Sequence, residues 1–144
     1  MPQSNRRRAL IAVIALTLLF IWGNSLLPAT ASAALSQRVG QLLSQILHLP
    51  FATDAGRGTL RKLAHGTEYL ILGVELSLLL RPVPRRPGSL LILCGLSAAL
   101  VDETIQLFVA GRAGAIRDVW IDLGGFLTGI ILYLLIRQLR GRKP

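Results

Sequence analysis

The sequence predicts an all-α membrane protein, a bundle of about four transmembrane helices plus one amphipathic interfacial helix. Hydrophobic residues make up 52% of the 144-residue chain, and its mean hydropathy is +0.57. Both values are too high for a soluble domain of this size. Basic residues lie in short clusters between long apolar runs, which is typical of membrane flanks and argues against nucleic acid as a partner.

Four apolar segments are each close to the roughly 20 residues that cross a hydrocarbon core about 30 Å thick. The predicted spans cover about 9–27, 63–80, 88–109 and 119–136. The first span follows a basic cluster and precedes Ala31-Ser32-Ala33, so a cleaved signal peptide is a rival interpretation. We favour a retained helix, because the apolar run is longer than a usual signal core and further spans follow.

The segment between the first two spans predicts a further helix. Apolar residues recur at helical spacing over about 34–49, and polar residues fill the other face. This pattern indicates an amphipathic helix on the membrane surface or against the bundle. We interpret His48, at its end, as an interfacial side chain. Residues 51–58 are predicted to form a loop, and three prolines within 82–87 predict a rigid turn between the second and third spans.

The basic residues also predict the orientation of the chain. Most of the 16 Lys and Arg residues fall at the two termini and in the short connection at 81–87. Cytoplasmic flanks of membrane helices carry an excess of such residues. We therefore expect a multi-pass protein of the bacterial cytoplasmic membrane, with both termini in the cytoplasm.

With that orientation, polar residues gather at the outer end of the bundle. Five of the seven acidic residues fall at this depth: Glu68, Asp102, Glu103, Asp118 and Asp122. Helical spacing places His65 with Glu68, Gln106 with Asp102 and Glu103, and Asp118 with Asp122, so each helix presents one polar stripe. A charged side chain facing lipid costs about 2.5–3.5 kcal/mol on insertion scales, so the stripes are expected to face each other.

Five carboxylates in one pocket can be accommodated in three ways. They can be protonated, since crowding and desolvation disfavour the anion. They can bind a metal or a cationic ligand. They can also pair with a basic residue at the same level, the candidates being Arg61, Lys62, Arg112 and Arg117. We rank pairing first, with Arg112 gripping a carboxylate through two hydrogen bonds.

The polar residues have a structural alternative, since they could simply join helices through hydrogen bonds. A pocket is favoured because one or two pairs would suffice for packing. Gly125 and Gly129 have the spacing of small residues that let two membrane helices approach closely.

Several motifs resemble those of the VanZ-like family. Residues 65–69 are similar to its His-x-x-Glu-Tyr signature, and residues 102–108 to its Asp-Glu-x-x-Gln-x-Phe signature. The family's Arg, following Asp and two glycines correspond to Arg112, Asp118, Gly125 and Gly129. Asp122 departs from the pattern, because Asn is expected there, and so adds a carboxylate. The resemblance covers roughly residues 10–136 and implies a single VanZ-like membrane domain over 1–144.

The resemblance implies a multi-pass bacterial membrane protein, and the member that gives the family its name is linked to reduced susceptibility to the glycopeptide antibiotic teicoplanin. We expect an envelope accessory or binding protein in the lipid bilayer, whose outward-facing pocket engages a lipid-linked envelope precursor or a glycopeptide. The expected ligand-binding residues are His65, Glu68, Tyr69, Asp102, Glu103, Gln106, Arg112, Asp118 and Asp122.

Two other functions stay open. An intramembrane enzyme acting on an envelope lipid would use His65 or Glu68 as general base and Glu103 as general acid. Such an enzyme could hold a metal with His65, Glu68, Asp102 and Glu103. No cofactor or metal is assigned, and no serine or cysteine nucleophile is evident beside the cluster. A proton or cation pathway through Glu75 is the third reading and the least supported, because the inner halves of the last two spans offer no matching acid.

Overall fold

A computed structural model describes residues 3–48, 53–80 and 88–141 of the chain. Its five helices are α1 (Gln3–Ser25), α2 (Ala29–Leu47), α3 (Asp54–Leu80), α4 (Gly88–Leu107) and α5 (Ile116–Gly141). The predicted all-α class is confirmed. The helices α1, α3, α4 and α5 are each long and apolar enough to cross a membrane.

Four of the five helices begin earlier than the sequence pattern predicts, and the difference is informative for α2 and α3. Helix α2 starts at Ala29 directly after Pro28, whose φ of −53° suits a helix start. The prediction of a loop over 51–58 is wrong from Asp54 onward, where α3 has already begun. Hydropathy marks only the part of a helix that crosses lipid, whereas backbone hydrogen bonding continues beyond it. Residues 51–52 and the predicted proline turn over 81–87 lie outside the described residues.

Among the described residues, the interior of the bundle contains polar side chains beside an apolar core, whereas large apolar side chains cover its outside. The buried polar residues are Ser25, Glu75, Ser77, Asp102, Glu103, Gln106 and Asp122. Large apolar side chains lie instead on the outer faces of the helices, for example Leu19 at 66% exposure and Phe20 at 60%. An exterior of this kind is stable in a bilayer, because lipid replaces the apolar core of a soluble fold as the environment of these side chains.

Helices α3 and α5 form the most extensive contact in the bundle. Added Cβ atoms at Gly125 and Gly129 would overlap the carbonyl oxygens of Gly66 and Leu70. The two backbones therefore touch, as expected for small residues at a membrane helix interface. This contact also positions polar residues, because His65 directly precedes Gly66 and Asp122 lies about one turn before Gly125.

One end of the bundle, here called the polar end, is where α1 and α4 finish and α5 begins. The connection between α4 and α5 folds over this end and meets the connection between α1 and α2, with the Ala29 N–H donating to the Ala110 carbonyl at 3.3 Å. Gly111 allows the turn, because its φ of +73° is left-handed. Helix α2 packs against α3. The polar end is thus built from all five helices.

Candidate functional site

The Gln106 side chain contacts four other polar side chains at the polar end. Its carbonyl oxygen accepts a 2.9 Å hydrogen bond from Arg61 Nη2. Its amide nitrogen Nε2 lies 3.2 Å from Asp102 Oδ2 and 3.1 Å from Glu103 Oε1, and 3.4 Å from the Ser25 hydroxyl oxygen. Because Arg61 occupies the carbonyl side, the amide must turn its donors toward the two carboxylates.

Glu103 fixes the start of α5. Its Oε2 accepts a 2.6 Å hydrogen bond from the Ala115 backbone N–H, while its Oε1 accepts from Gln106. Backbone N–H groups at the start of a helix have no partner within the helix, and a carboxylate is a favourable acceptor there. Both oxygens of Glu103 are therefore engaged in holding the α4–α5 connection in place.

His65, Asp102 and Asp122 meet at the centre of the polar end. His65 Nδ1 lies 3.7 Å from Asp102 Oδ2 and 3.7 Å from Asp122 Oδ1. Asp102 and Asp122 are 0% and 1% exposed. Both oxygens of Asp122 lack a hydrogen-bond partner among the described residues. Three helices thus each contribute one side chain with a potential metal-binding atom to the same point.

Arg112 lies where the sequence predicts, above the polar end. The expected pairing with a carboxylate is not found among the described residues. Its Nε donates to the Leu27 carbonyl at 2.8 Å, and its Nη2 donates to the Asn24 carbonyl at 3.0 Å. Carbonyls at the end of a helix lack partners within the helix, and Arg112 supplies donors to the end of α1. Burial lowers the pKa of its guanidinium, because desolvation disfavours the charged form, and nearby Arg61 adds to this shift.

Helix α1 supplies polar partners that the sequence analysis did not include in the cluster. The Asn24 amide donates to Glu68 Oε1 at 3.0 Å, and the Thr17 hydroxyl donates to Glu75 Oε1 at 3.0 Å. These partners carry no charge, so a search for charged residues in the spans passes over them. The sequence could have indicated them, because each is a polar residue in the first span at the same membrane depth as a carboxylate without an assigned partner.

The remaining predicted residues have different environments. Tyr69 is fully buried in the apolar core, and its hydroxyl has no hydrogen-bond partner among the described residues. Asp118 is partly exposed in the first turn of α5. It borders a cavity of about 10 Å³ together with His65, Asp122, Lys62 and Arg61. Arg117, a predicted pairing candidate, is exposed.

A larger cavity of about 170 Å³ lies between α1, α2 and α3. Its polar wall contains Asn24, Arg61, His65, Glu68 and Arg112, and its apolar wall contains Leu27, Leu35, Val39 and Leu60. Two polar atoms of these residues are buried without a hydrogen-bond partner in the described part of the chain, namely Arg112 Nη1 and Glu68 Oε2. A cationic side chain and an acidic side chain, each with one unpartnered buried atom, thus line the cavity beside an apolar surface.

Comparison with models of known protein families identifies the family of this chain. The model of the VanZ/LLP1 family matches residues 9–137, which is most of the chain. The chain belongs to the VanZ/LLP1 family. It is a VanZ-like membrane protein, and the resemblance predicted from its motifs is confirmed. Comparisons with curated proteins and with solved structures gave no match.

The VanZ-like signature segments meet in space in this structure. Residues 65–69 lie in α3, residues 102–107 lie at the end of α4 with Phe108 directly after it, and His65 approaches Asp102. Asp122, the position where the chain departs from the expected pattern, approaches the same histidine. In this protein the signature segments therefore surround a buried polar centre, and the cavity of about 170 Å³ lies beside it along α2.

Proposed function

We propose that this VanZ-like protein is an envelope-binding protein that holds the anionic headgroup of an envelope lipid, such as a lipid-linked wall precursor, in the 170 Å³ cavity. The observation that carries this proposal is Arg112, which lines the cavity and whose buried Nη1 nitrogen has no hydrogen-bond partner in the described part of the chain. A buried donor without a partner costs about 1–3 kcal/mol, more if it is charged, and a phosphate or carboxylate would recover this cost.

The other wall residues suit the same ligand. Arg61 lines the cavity and adds a second cationic side chain, while Glu68 Oε2 can accept a hydrogen bond from a hydroxyl or amine. Leu35 and Val39 of α2 offer an apolar wall next to these groups. A lipid whose anionic headgroup continues into a hydrocarbon chain matches both kinds of surface.

The size of the cavity argues for a headgroup rather than a whole antibiotic. Pockets that enclose drug-sized ligands have volumes of about 300–1,000 Å³. The cavity has about 170 Å³, and a glycopeptide is larger than most drugs. Any link of this protein to teicoplanin susceptibility would therefore act through the precursor lipid, not through enclosure of the antibiotic.

The proposal includes an orientation, with the polar end on the outer side of the bacterial cytoplasmic membrane and both termini in the cytoplasm. We expect a cysteine at Ala113, exposed on the α4–α5 connection, to react with a membrane-impermeant maleimide in intact cells. A cysteine at Ser4, exposed at the start of α1, should react only after the membrane is opened. Cys94 is first replaced by serine to remove background. Labelling of the cysteine at position 4 in intact cells would show that the protein has the opposite orientation.

Headgroup binding is tested with undecaprenyl phosphate, using native mass spectrometry of the purified protein in detergent. We expect Arg112→Lys to weaken binding about tenfold or more, because a lysine loses the planar fork while keeping the charge. Glu68→Gln should weaken binding of a lipid whose headgroup also carries an amine. Undecaprenol, which lacks the phosphate, should bind less tightly than undecaprenyl phosphate.

The matched control is Arg117→Lys, the same change at an exposed arginine that does not line the cavity. Equal loss in Arg117→Lys and Arg112→Lys would mean that general surface charge attracts the lipid. Unchanged binding in Arg112→Lys would contradict the proposal. Conversion of a lipid-linked precursor to a product, abolished by Glu103→Gln, would favour the intramembrane enzyme instead.

A further inference from the structure

A second potential site lies at the centre of the polar end, formed by His65, Asp102 and Asp122. One potential metal-binding atom from each residue lies within 4.8 Å of the other two. The three residues come from α3, α4 and α5, so the tight α3–α5 contact helps to hold them together. This group is separate from the Arg112 wall of the lipid cavity, although His65 borders both.

No hydrogen bond in the described part of the chain accounts for the burial of Asp122. Its side chain is 1% exposed, and neither carboxylate oxygen has a hydrogen-bond partner among the described residues. A buried carboxylate without hydrogen bonds is costly and normally has a partner, a counter-charge or a bound metal. Its Oδ1 points toward His65 Nδ1 at 3.7 Å.

The distances favour a shared ion over direct hydrogen bonds. A hydrogen bond between an imidazole nitrogen and a carboxylate spans about 2.7–3.2 Å. Both His65–carboxylate distances are 3.7 Å. Ligand atoms bound at 2.0–2.2 Å to one metal ion lie about 3.0–3.6 Å from each other in tetrahedral or octahedral geometry. The two His65–carboxylate pairs therefore have nearly the spacing that a common ion requires, and the Asp102 and Asp122 oxygens lie within 4.8 Å of each other.

Charge and surroundings fit the same ion. A neutral histidine and two carboxylates carry a charge of −2 together, which a divalent cation cancels within the bundle. The Gln106 amide lies 3.2 Å from Asp102 Oδ2, which is the type of outer hydrogen bond that orients metal ligands. The cavity of about 10 Å³ beside His65 and Asp122 has room for about one water, which could complete the coordination.

We infer that His65, Asp102 and Asp122 form a binding site for one divalent transition-metal ion, with Zn²⁺ as the best-suited probe. One imidazole nitrogen and two carboxylate oxygens are ordinary zinc ligands, and three protein ligands leave a position for water. Mg²⁺ is disfavoured, because it prefers oxygen ligands and a full octahedral shell. The inference does not depend on lipid binding.

The test is Zn²⁺ binding to the purified full-length protein in detergent, prepared without a polyhistidine tag and stripped with a chelator. We expect one equivalent of Zn²⁺ to bind in competition with a chelating dye, and excess Mg²⁺ not to displace it. His65→Ala should weaken Zn²⁺ binding at least about 100-fold, and Asp122→Asn at least about tenfold. Mutating a residue that only hydrogen-bonds to a metal ligand already lowers metal affinity about 10–100-fold. Bound Co²⁺ should give a visible spectrum that both variants lose.

His48→Ala is the matched control, because His48 is exposed at the end of α2 and far from the cluster in sequence. It should bind Zn²⁺ as the parent protein does. Helix content and elution volume in gel filtration verify that each variant is folded. If Asp122→Asn is unfolded, Asp102→Asn takes its place. Absence of stoichiometric Zn²⁺ in the parent protein, or equal binding by folded His65→Ala, would overturn the inference. If metal-free protein still binds the lipid, the proposed function is supported independently of the metal site.

Discussion

Gly125→Ala is expected to destabilise the protein by about 2–3 kcal/mol, because the added methyl group would overlap the carbonyl oxygen of Gly66. Backbone atoms cannot rotate away as a side chain can, so α3 and α5 must move apart. The better helix propensity of alanine, worth about 1 kcal/mol, offsets only part of this cost. Thermal unfolding in detergent should show a melting temperature roughly 10 °C lower than in the parent protein.

Gly124→Ala is the matched control for this change. Gly124 is the neighbouring residue on the same helix, and a Cβ there would contact nothing within 4 Å. Alanine should leave the melting temperature unchanged or raise it slightly through helix propensity. Equal destabilisation of the two variants would show that α3 and α5 are not in backbone contact.

Gln106→Leu is expected to cost about 3 kcal/mol, although leucine has nearly the same size and is more apolar. The change removes the amide that donates to Asp102 and Glu103 and the carbonyl that accepts from Arg61. Four polar groups, the fourth being the Ser25 hydroxyl, would lose a partner at once, and each buried unpaired group costs about 1–3 kcal/mol. The measurement is the free energy of unfolding, determined by denaturant titration in mixed micelles.

The comparison variant is Gln138→Leu, which makes the same change at an exposed glutamine near the end of α5. It should leave the free energy of unfolding within about 0.5 kcal/mol of the parent value, as most surface changes do. A Gln106→Leu protein as stable as the Gln138→Leu protein would mean that the carboxylates have other donors.

The sequence was sufficient to predict the helical class and the gathering of acidic residues at one end. These features depend on hydropathy and helical spacing, both of which are local. The close contact at Gly125 and Gly129 was also predictable, because small residues at this spacing commonly mark membrane helix interfaces. The functional roles assigned to the site residues stay predictions.

Other features depend on contacts that local patterns do not encode. Arg112 donates to the Asn24 and Leu27 carbonyls, and a backbone acceptor has no sequence signature. The pairing of Glu68 with Asn24 joins residues 44 positions apart, and neither spacing nor charge connects them. Predicting such pairs requires knowing which helices are neighbours, and α1 was not assigned to the polar cluster.

The α3–α5 contact has a consequence for how the protein is made. Helix α3 emerges from the ribosome before α4 and α5, yet α5 is the helix it packs against most extensively. During synthesis, His65 and Glu68 therefore enter the membrane region before Asp122 exists to face them. Until α5 is made, these two side chains lack one of the helices that surround them in the finished bundle, so α3 is costlier to insert into lipid than an apolar segment.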